Sequence, residues 1–217
     1  MNQSKQKYVY IEHGSSDYTL MFIKLGYIVT NDVSKADLVC FTGGSDVSPS
    51  LYASDKHPTT WNDEWRDTKE QRLFNELRER NIPMVGICRG GQFLNVMSGG
   101  SMYQDVSKHT CSHSITDLET GDVIWVSSTH HQMMKPSSSG VLVASSNLGG
   151  KREWYEGTIF KRDVSEEDIE VVFYPDTNCL CFQPHPEFTG ETYEKMFTYF
   201  GECLKKYLFK ESSCIKA

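Results

Sequence analysis

Short apolar runs and helix-spaced apolar positions alternate through the first half of the chain. Apolar runs typical of buried strands occupy residues 8–11, 38–41 and 84–87, and helical spacing occupies residues 18–25, 68–80 and 91–97. Strands that alternate with helical segments of this length are typical of a parallel sheet with helices on both faces.

The second half of the chain has a different pattern. Strand-like runs separated by turn residues follow one another at 123–127, 141–144, 154–160, 171–174 and 180–182, and an amphipathic helix is predicted over 191–209. Neither a Gly/Ser-rich linker nor a charge run separates the halves. We therefore expect one domain over residues 1–217, a three-layer α/β fold with a mostly parallel central sheet and an antiparallel extension.

Composition and charge narrow the class of protein. The chain is 38% apolar and 24% charged, which is ordinary for a globular protein, and its formal net charge of −7 disfavours binding along a nucleic-acid backbone. No apolar stretch is long enough for a signal peptide near the start or for a membrane span anywhere. Seven irregularly spaced cysteines indicate free thiols. We expect a soluble, cytoplasmic protein with neither a nucleic-acid nor a membrane partner.

Cys88 has the local sequence of a reactive cysteine. It stands between Gly86 and Gly90, after a predicted strand and before a predicted helix, which is the pattern of a nucleophile elbow. A helix N-terminus favours the thiolate, and the backbone N–H of Arg89 is in place to stabilise an oxyanion. The alternative is a buried strand-end cysteine whose flanking glycines serve packing.

His185 is the candidate base. Pro186 favours an extended conformation at His185, so that Glu187, two residues on, faces the same side and can orient the imidazole. The preceding predicted strand would end at the same sheet edge as Cys88. Taken alone, His185 could equally be an ordinary turn residue.

A glycine-rich loop follows the strand at 38–41. Gly43 and Gly44 allow a backbone N–H to approach a substrate, and Gly44 is the candidate second oxyanion donor. Without the other two motifs, an ordinary glycine turn would be the preferred interpretation.

These segments together resemble a known family. Four segments resemble those of class I, triad-type glutamine amidotransferases, and they follow one another in the family's order. They are the oxyanion segment at 43–52, the nucleophile segment at 86–104, the substrate-side segment at 126–132 and the His/Glu segment at 183–187. The resemblance is closest to the γ-glutamyl hydrolase branch and covers about residues 8–205. The sequence departs from that branch at Pro184, at Ser127 and over residues 151–178, which leaves the substrate open.

The resemblance implies a flavodoxin-like fold and a cysteine enzyme without a cofactor. A triad of Cys88, His185 and Glu187 would attack a γ-glutamyl amide, release ammonia or an amine and hydrolyse a glutamyl thioester. It also implies four substrate-binding residues: Gly43, Gln92, Thr129 and His130.

Three functions remain open at this point. The first is the glutaminase of an amidotransferase, which would need a synthetase partner because the chain has no Walker A sequence. The second is a stand-alone γ-glutamyl hydrolase, and the third is an inactive ligand- or partner-binding relative. Cysteine hydrolases and chaperones of a related fold carry the base directly after the cysteine, where this chain has Arg89.

Three other patterns are interpreted without a catalytic role. His109, Cys111 and His113 alternate, but the sequence offers no fourth ligand, so we expect no metal and a loop beside the active site. Cys179 and Cys181 are interpreted as buried strand thiols. The segment Trp61–Arg66 is expected to form either a lid over the substrate or a surface aromatic patch.

Overall fold

Fourteen strands and four α-helices form the part of the chain that the computed structural model describes, residues 6–165, 167–188 and 190–210. The helices are α1 (Ser16–Lys24), α2 (Glu64–Glu79), α3 (Arg89–Met97) and α4 (Glu194–Cys203). The strands are β1 (Tyr8–Glu12), β2 (Ile28–Thr30), β3 (Leu38–Phe41), β4 (Met84–Ile87), β5 (Ser101–Tyr103), β6 (Asp105–Val106), β7 (His113–Asp117), β8 (Val123–Val126), β9 (Met133–Lys135), β10 (Val141–Ser146), β11 (Gly150–Glu156), β12 (Ile159–Ser165), β13 (Asp168–Tyr174) and β14 (Cys179–Phe182).

The central sheet has nine strands in the order β2-β1-β3-β4-β14-β13-β10-β7-β8. The first five are parallel to one another, and the last four continue the sheet in antiparallel pairs. A three-stranded sheet, β12-β11-β6, and the pair β5-β9 lie outside it. The predicted mostly parallel sheet with an antiparallel extension is confirmed.

Helices cover both faces of this sheet. Phe22 of α1 and Phe200 of α4 belong to one buried cluster, and Phe74 of α2 and Phe93 of α3 belong to the other. The alternation of side chains along the strands divides the core in this way, because successive residues point to opposite faces. The three-layer arrangement is therefore confirmed.

Helix α2 begins four residues before the predicted start at residue 68. The side chain of Asp63 accepts hydrogen bonds from the backbone N–H groups of Trp65 and Arg66, which caps the helix at Glu64. Most residues of the first turn are charged, so the spacing of apolar residues does not indicate where the helix begins.

The predicted single strand over residues 154–160 is wrong. Two strands, β11 and β12, meet there in a hairpin whose turn contains Gly157 at φ +60°, a conformation that glycine adopts without strain. The predicted helix over 191–209 is divided into a 3-10 turn, α4 and a final π turn at Leu204–Leu208.

Within the described residues, the helices are too short and too polar for any of them to cross a bilayer.

Candidate functional site

Cys88 occupies the sharp turn between β4 and α3. Its backbone has φ 52° and ψ −113°, which is a strained conformation for a residue with a side chain. A Cβ on Gly86 would lie 2.2 Å from the carbonyl oxygen of Gly90, and one on Gly90 would lie 2.0 Å from that of Phe41. Both glycines are thus required by close backbone packing, and the elbow presents Cys88 at the sheet edge.

His185 reaches Cys88 because β4 and β14 are adjacent and parallel. Phe182 is paired with Ile87, so the chain leaves both strands at the same edge of the sheet. The imidazole Nδ1 of His185 lies 2.7 Å from Oε1 of Glu187, and both side chains are buried. Burial alone would lower the pKa of His185, but its interactions with Cys88 and Glu187 outweigh burial and raise it to about 10.

Three residues hold His185 in position. The hydroxyl of Ser127 accepts a hydrogen bond from the backbone N–H of His185 at 3.1 Å and donates one to its carbonyl at 3.0 Å. Thr129 Oγ1 lies 3.0 Å from Nε2, and the Phe188 ring stacks on the imidazole at 4.8 Å. Sequence reasoning noted Ser127 only as a departure from the family pattern, whereas here it fixes the main chain of His185.

The loop that carries Gly44 is tied to helix α2. Arg66 donates hydrogen bonds to the carbonyls of Gly43 and Thr42, each at 2.9 Å. A Cβ on Gly44, which has φ +149°, would lie 2.2 Å from Arg66 Nη1, so the guanidinium packs directly against this glycine. The Tyr18 hydroxyl accepts the N–H of Gly43 at 3.1 Å.

Two backbone donors remain free beside Cys88. Among the described residues, neither the N–H of Gly44 nor that of Arg89 has a hydrogen-bond acceptor. The N–H of Arg89 belongs to the first turn of α3, where helix geometry supplies no partner. These two groups are the ones that sequence reasoning selected as oxyanion donors.

A buried charge network connects this loop with the nucleophile helix. Glu70 pairs with both Arg66 and Arg89, and Arg89 also pairs with Asp67. All four side chains are nearly inaccessible, and their formal charges cancel. Sequence reasoning missed Asp67 and Glu70 and did not give Arg66 this role. The available signal was a pair of opposite charges at i and i+4 on α2.

A small cavity of about 130 Å³ lies in front of Cys88. Gln92 lines it and donates from its amide nitrogen to the carbonyl of Gln132 at 3.0 Å. Gly43 and Glu187, which were also predicted from the sequence, lie next to His185. The residues that line the cavity include most of the other predicted ones and are Gly44, Asp46, Cys88, Arg89, Gln92, Thr129, His130, His131, Gln132 and His185.

The remaining sequence patterns have simple outcomes. Trp61 and Trp65 are 77% and 63% exposed and do not line the cavity, which favours the surface alternative over a lid, whereas Arg66 turns inward. Cys179 and Cys181 are buried in β14, and burial raises the pKa of Cys179 to about 12. Cys111 is exposed.

Comparison with known proteins agrees with the fold. The peptidase C26 family model matches residues 19–147. The glutamine amidotransferase-like protein YvdE of Lactococcus lactis is 30% identical over 199 residues, which cover 80% of this chain and 76% of that protein. A glutamine amidotransferase of Thermotoga maritima superposes with a TM-score of 0.59 at 16% identity, covering 96% of this chain and 90% of its own. A Thermoplasma acidophilum protein named as part of a GMP synthase superposes with a TM-score of 0.59 at 15% identity, and the match covers 96% of this chain and 100% of that protein.

Proposed function

The chain belongs to the peptidase C26 family of class I glutamine amidotransferase-like proteins, and from this premise we propose that it hydrolyses the side-chain amide of glutamine through Cys88. Family membership supports glutamine amidotransferase or glutamyl hydrolase activity. The choice of glutamine and the assignment of each residue rest on the geometry of the site.

The observation that carries the proposal is the meeting of Cys88, His185 and Glu187 at the edge of β4 and β14. Glu187 accepts a hydrogen bond from the Nδ1–H of His185, which leaves Nε2 for proton exchange with the thiol. The side chain of Arg89 pairs with Asp67 and Glu70, so the residue that follows the cysteine does not act as the base. An inactive relative would have no need of this arrangement.

The reaction follows from these positions. The Cys88 thiolate attacks the amide carbon, and the resulting oxyanion accepts hydrogen bonds from the N–H groups of Gly44 and Arg89. The His185 imidazolium gives its Nε2 proton to the departing nitrogen, and ammonia leaves as the glutamyl thioester forms. Neutral His185 then takes a proton from water as the hydroxide adds to the thioester, and collapse of this second tetrahedral intermediate breaks the C–S bond, releases glutamate and restores the Cys88 thiolate beside the His185 imidazolium.

The size of the cavity supports a small acyl group. At about 130 Å³ it is well below the roughly 300–1,000 Å³ of drug-sized ligand pockets, and it matches a glutamyl side chain better than a large conjugate. Gln92, Thr129 and His130 line this space and are the residues we assign to glutamyl binding. No cofactor takes part in the proposed chemistry.

An acceptor enzyme is part of the proposal. The structural neighbour named as part of a GMP synthase shares the full extent of its chain with this one. By analogy, ammonia released here would pass to a synthetase partner.

A stand-alone γ-glutamyl hydrolase is the second candidate, and one observation favours it. The oxyanion loop is already held by Arg66 and Tyr18, so it needs no partner to order it. A hydrolase of this kind would place a larger amine at the open side of the cavity.

Steady-state kinetics of the purified chain test the proposal. With glutamine as substrate, we expect equal amounts of glutamate and ammonia, and at least a thousandfold loss of kcat in Cys88→Ser, because the nucleophile carries most of a triad's effect. Cys111→Ser removes an exposed thiol away from the site and is the matched control, which should keep wild-type kcat. Activity retained in Cys88→Ser would contradict the proposal.

The same assay separates the two candidates. Glutamine is compared with γ-glutamyl-γ-aminobutyrate. A kcat/KM for the larger amide of about 10⁴ M⁻¹s⁻¹ or more, with glutamine far poorer, would favour the stand-alone hydrolase.

A further inference from the structure

Five ionisable side chains are buried together beside the cavity, and His130 is the one member that also lines it. Three histidines and two carboxylates make up this group, the histidine cluster, and each is at most 4% exposed. Its members are His109, His113, His130, Asp168 and Glu170. They come from the loops before β7 and β9, from β7 itself and from β13.

Three atoms at the centre of the cluster have no hydrogen-bond partner. They are Nδ1 of His109, Nε2 of His130 and Oε2 of Glu170. One ligand atom from each of these residues can be chosen so that all three lie within 4.8 Å of one another. Buried polar atoms without partners are rare, because each one costs about 1–3 kcal/mol.

The outer nitrogens of both imidazoles are already engaged. His109 Nε2 lies 2.9 Å from Oδ2 of Asp168, and His130 Nδ1 lies 2.8 Å from the carbonyl oxygen of Gln132. Since those two oxygens can only accept, each outer nitrogen carries the hydrogen, and in the neutral ring the inner nitrogen carries a lone pair. Metal-ligating histidines show this second hydrogen bond almost without exception.

An extra proton does not satisfy the cluster. A proton on His109 Nδ1 would serve Oε1 of Glu170, 3.2 Å away. His130 Nε2 and Glu170 Oε2, 3.7 Å apart, would still face each other without a hydrogen bond. A cation between the three residues satisfies all of them at once.

The spacing of these atoms fits zinc. In a tetrahedral site with bonds of about 2.0–2.1 Å, neighbouring ligand atoms lie about 3.3–3.4 Å apart. Oε1 of Glu170 lies 3.2 Å from His109 Nδ1 and Oε2 lies 3.7 Å from His130 Nε2, so each imidazole nitrogen is at about this distance from one oxygen of the carboxylate. Two imidazoles and one carboxylate are a known set of three protein ligands for zinc, in which a water molecule takes the fourth position.

We propose that His109, His130 and Glu170 bind a structural Zn²⁺ ion. His113 donates to Oε1 of Glu170 at 3.1 Å and Asp168 orients His109, so both support the ligands rather than bind the metal. Cys111, which alternates with two of these histidines in the sequence, is exposed and takes no part. This site revises the expectation of no metal, because two of its three ligands, His130 and Glu170, lie outside the segment that carries His109 in the sequence.

The ion would fasten the substrate-side loop to the sheet. His130 follows Thr129, whose hydroxyl lies 3.0 Å from His185 Nε2, and the hydroxyl of Ser128 donates to the carbonyl of His109. Binding of His130 to Glu170 through zinc ties this loop to β13.

Metal analysis of the untagged protein tests the proposal directly. The chain is produced with zinc in the medium, dialysed against metal-free buffer and measured by plasma mass spectrometry. We expect about one zinc per chain. Less than a tenth of an equivalent would overturn the site, and iron in place of zinc would overturn the choice of metal.

Variants and refolding make the test specific. His109→Asn should lose the zinc, whereas His13→Asn, which removes a surface histidine, should keep it. Full zinc in His109→Asn would contradict the assignment. If that variant does not fold, the test uses wild-type protein instead, which is refolded from urea either with Zn²⁺ or with EDTA, and the melting temperatures of the two samples are compared. We expect the EDTA sample to melt about 5 °C or more lower, and equal Tm values would contradict a structural zinc.

Discussion

Glu187 contributes to the raised pKa of His185, and replacement of this one side chain tests the contribution. Glu187→Gln keeps the shape of the side chain and removes its negative charge, so the pKa of His185 should fall from about 10. Turnover should drop by orders of magnitude because the imidazole is no longer held in its active tautomer. Titration of ¹⁵N-labelled histidine by NMR measures the charge of the ring independently of turnover.

The control for this variant is Glu194→Gln, an exposed glutamate at the start of α4. It should change neither the titration nor turnover. If His185 titrates alike in wild type and Glu187→Gln, then Glu187 does not orient the imidazole.

Single residues of the site were predictable where their evidence is local. The glycines around Cys88 and the proline between His185 and Glu187 fix conformation within a few positions of the sequence. Ser127 and Tyr18 were not predicted as positioning residues, because their hydrogen bonds to His185 and Gly43 join residues 58 and 25 positions apart. A serine or a tyrosine carries no local sign of such a partner.

At the scale of elements, α3 depends on its close approach to β3. Gly90→Ala would place a Cβ 2.0 Å from the carbonyl oxygen of Phe41, a backbone atom that cannot move aside. We expect a loss of about 3 kcal/mol in the free energy of unfolding, measured with urea.

Gly201→Ala in α4 is the matched substitution. Its Cβ would meet only the end of the flexible Leu25 side chain, at 2.9 Å, and alanine favours the helix. The stability of this variant should lie within about 1 kcal/mol of wild type. Equal effects of the two substitutions would show that Gly90 is not required by packing.

Strands with buried polar residues escaped prediction. In β7 the inward positions include His113 and Asp117, and in β13 they include Asp168 and Glu170. Such residues are typical of solvated loops, so the pattern of apolar positions gave no strand at β7 and only the last four residues of β13. Their burial is possible because they pair with partners far away in the sequence.

At the scale of the whole molecule, the order of the strands assembles the site. Cys88 and His185 are far apart in the sequence but follow two neighbouring parallel strands, β4 and β14. Parallel strands whose ends meet at one edge were predictable from the alternation of elements and from the family resemblance. The buried charges that join α2, the oxyanion loop and α3 were not, because Arg89 of α3 meets Asp67 and Glu70 of α2 only when these separate segments have come together.

This network leads to a prediction about Arg66. Arg66→Lys keeps the charge beside Glu70 but loses the planar fork that reaches the carbonyls of Gly43 and Thr42 together. With Gly44 less firmly placed, kcat for glutamine should fall about ten- to a hundredfold, since one full oxyanion donor contributes about 10²–10³. Alkylation of Cys88 by iodoacetamide, which forms no oxyanion, should keep its wild-type rate. Arg80→Lys, at an exposed pair with Glu76 next to the same helix, is the control and should keep wild-type kcat. An unchanged kcat in Arg66→Lys, or an equal fall in both turnover and alkylation, would show that Arg66 does not act through the oxyanion loop.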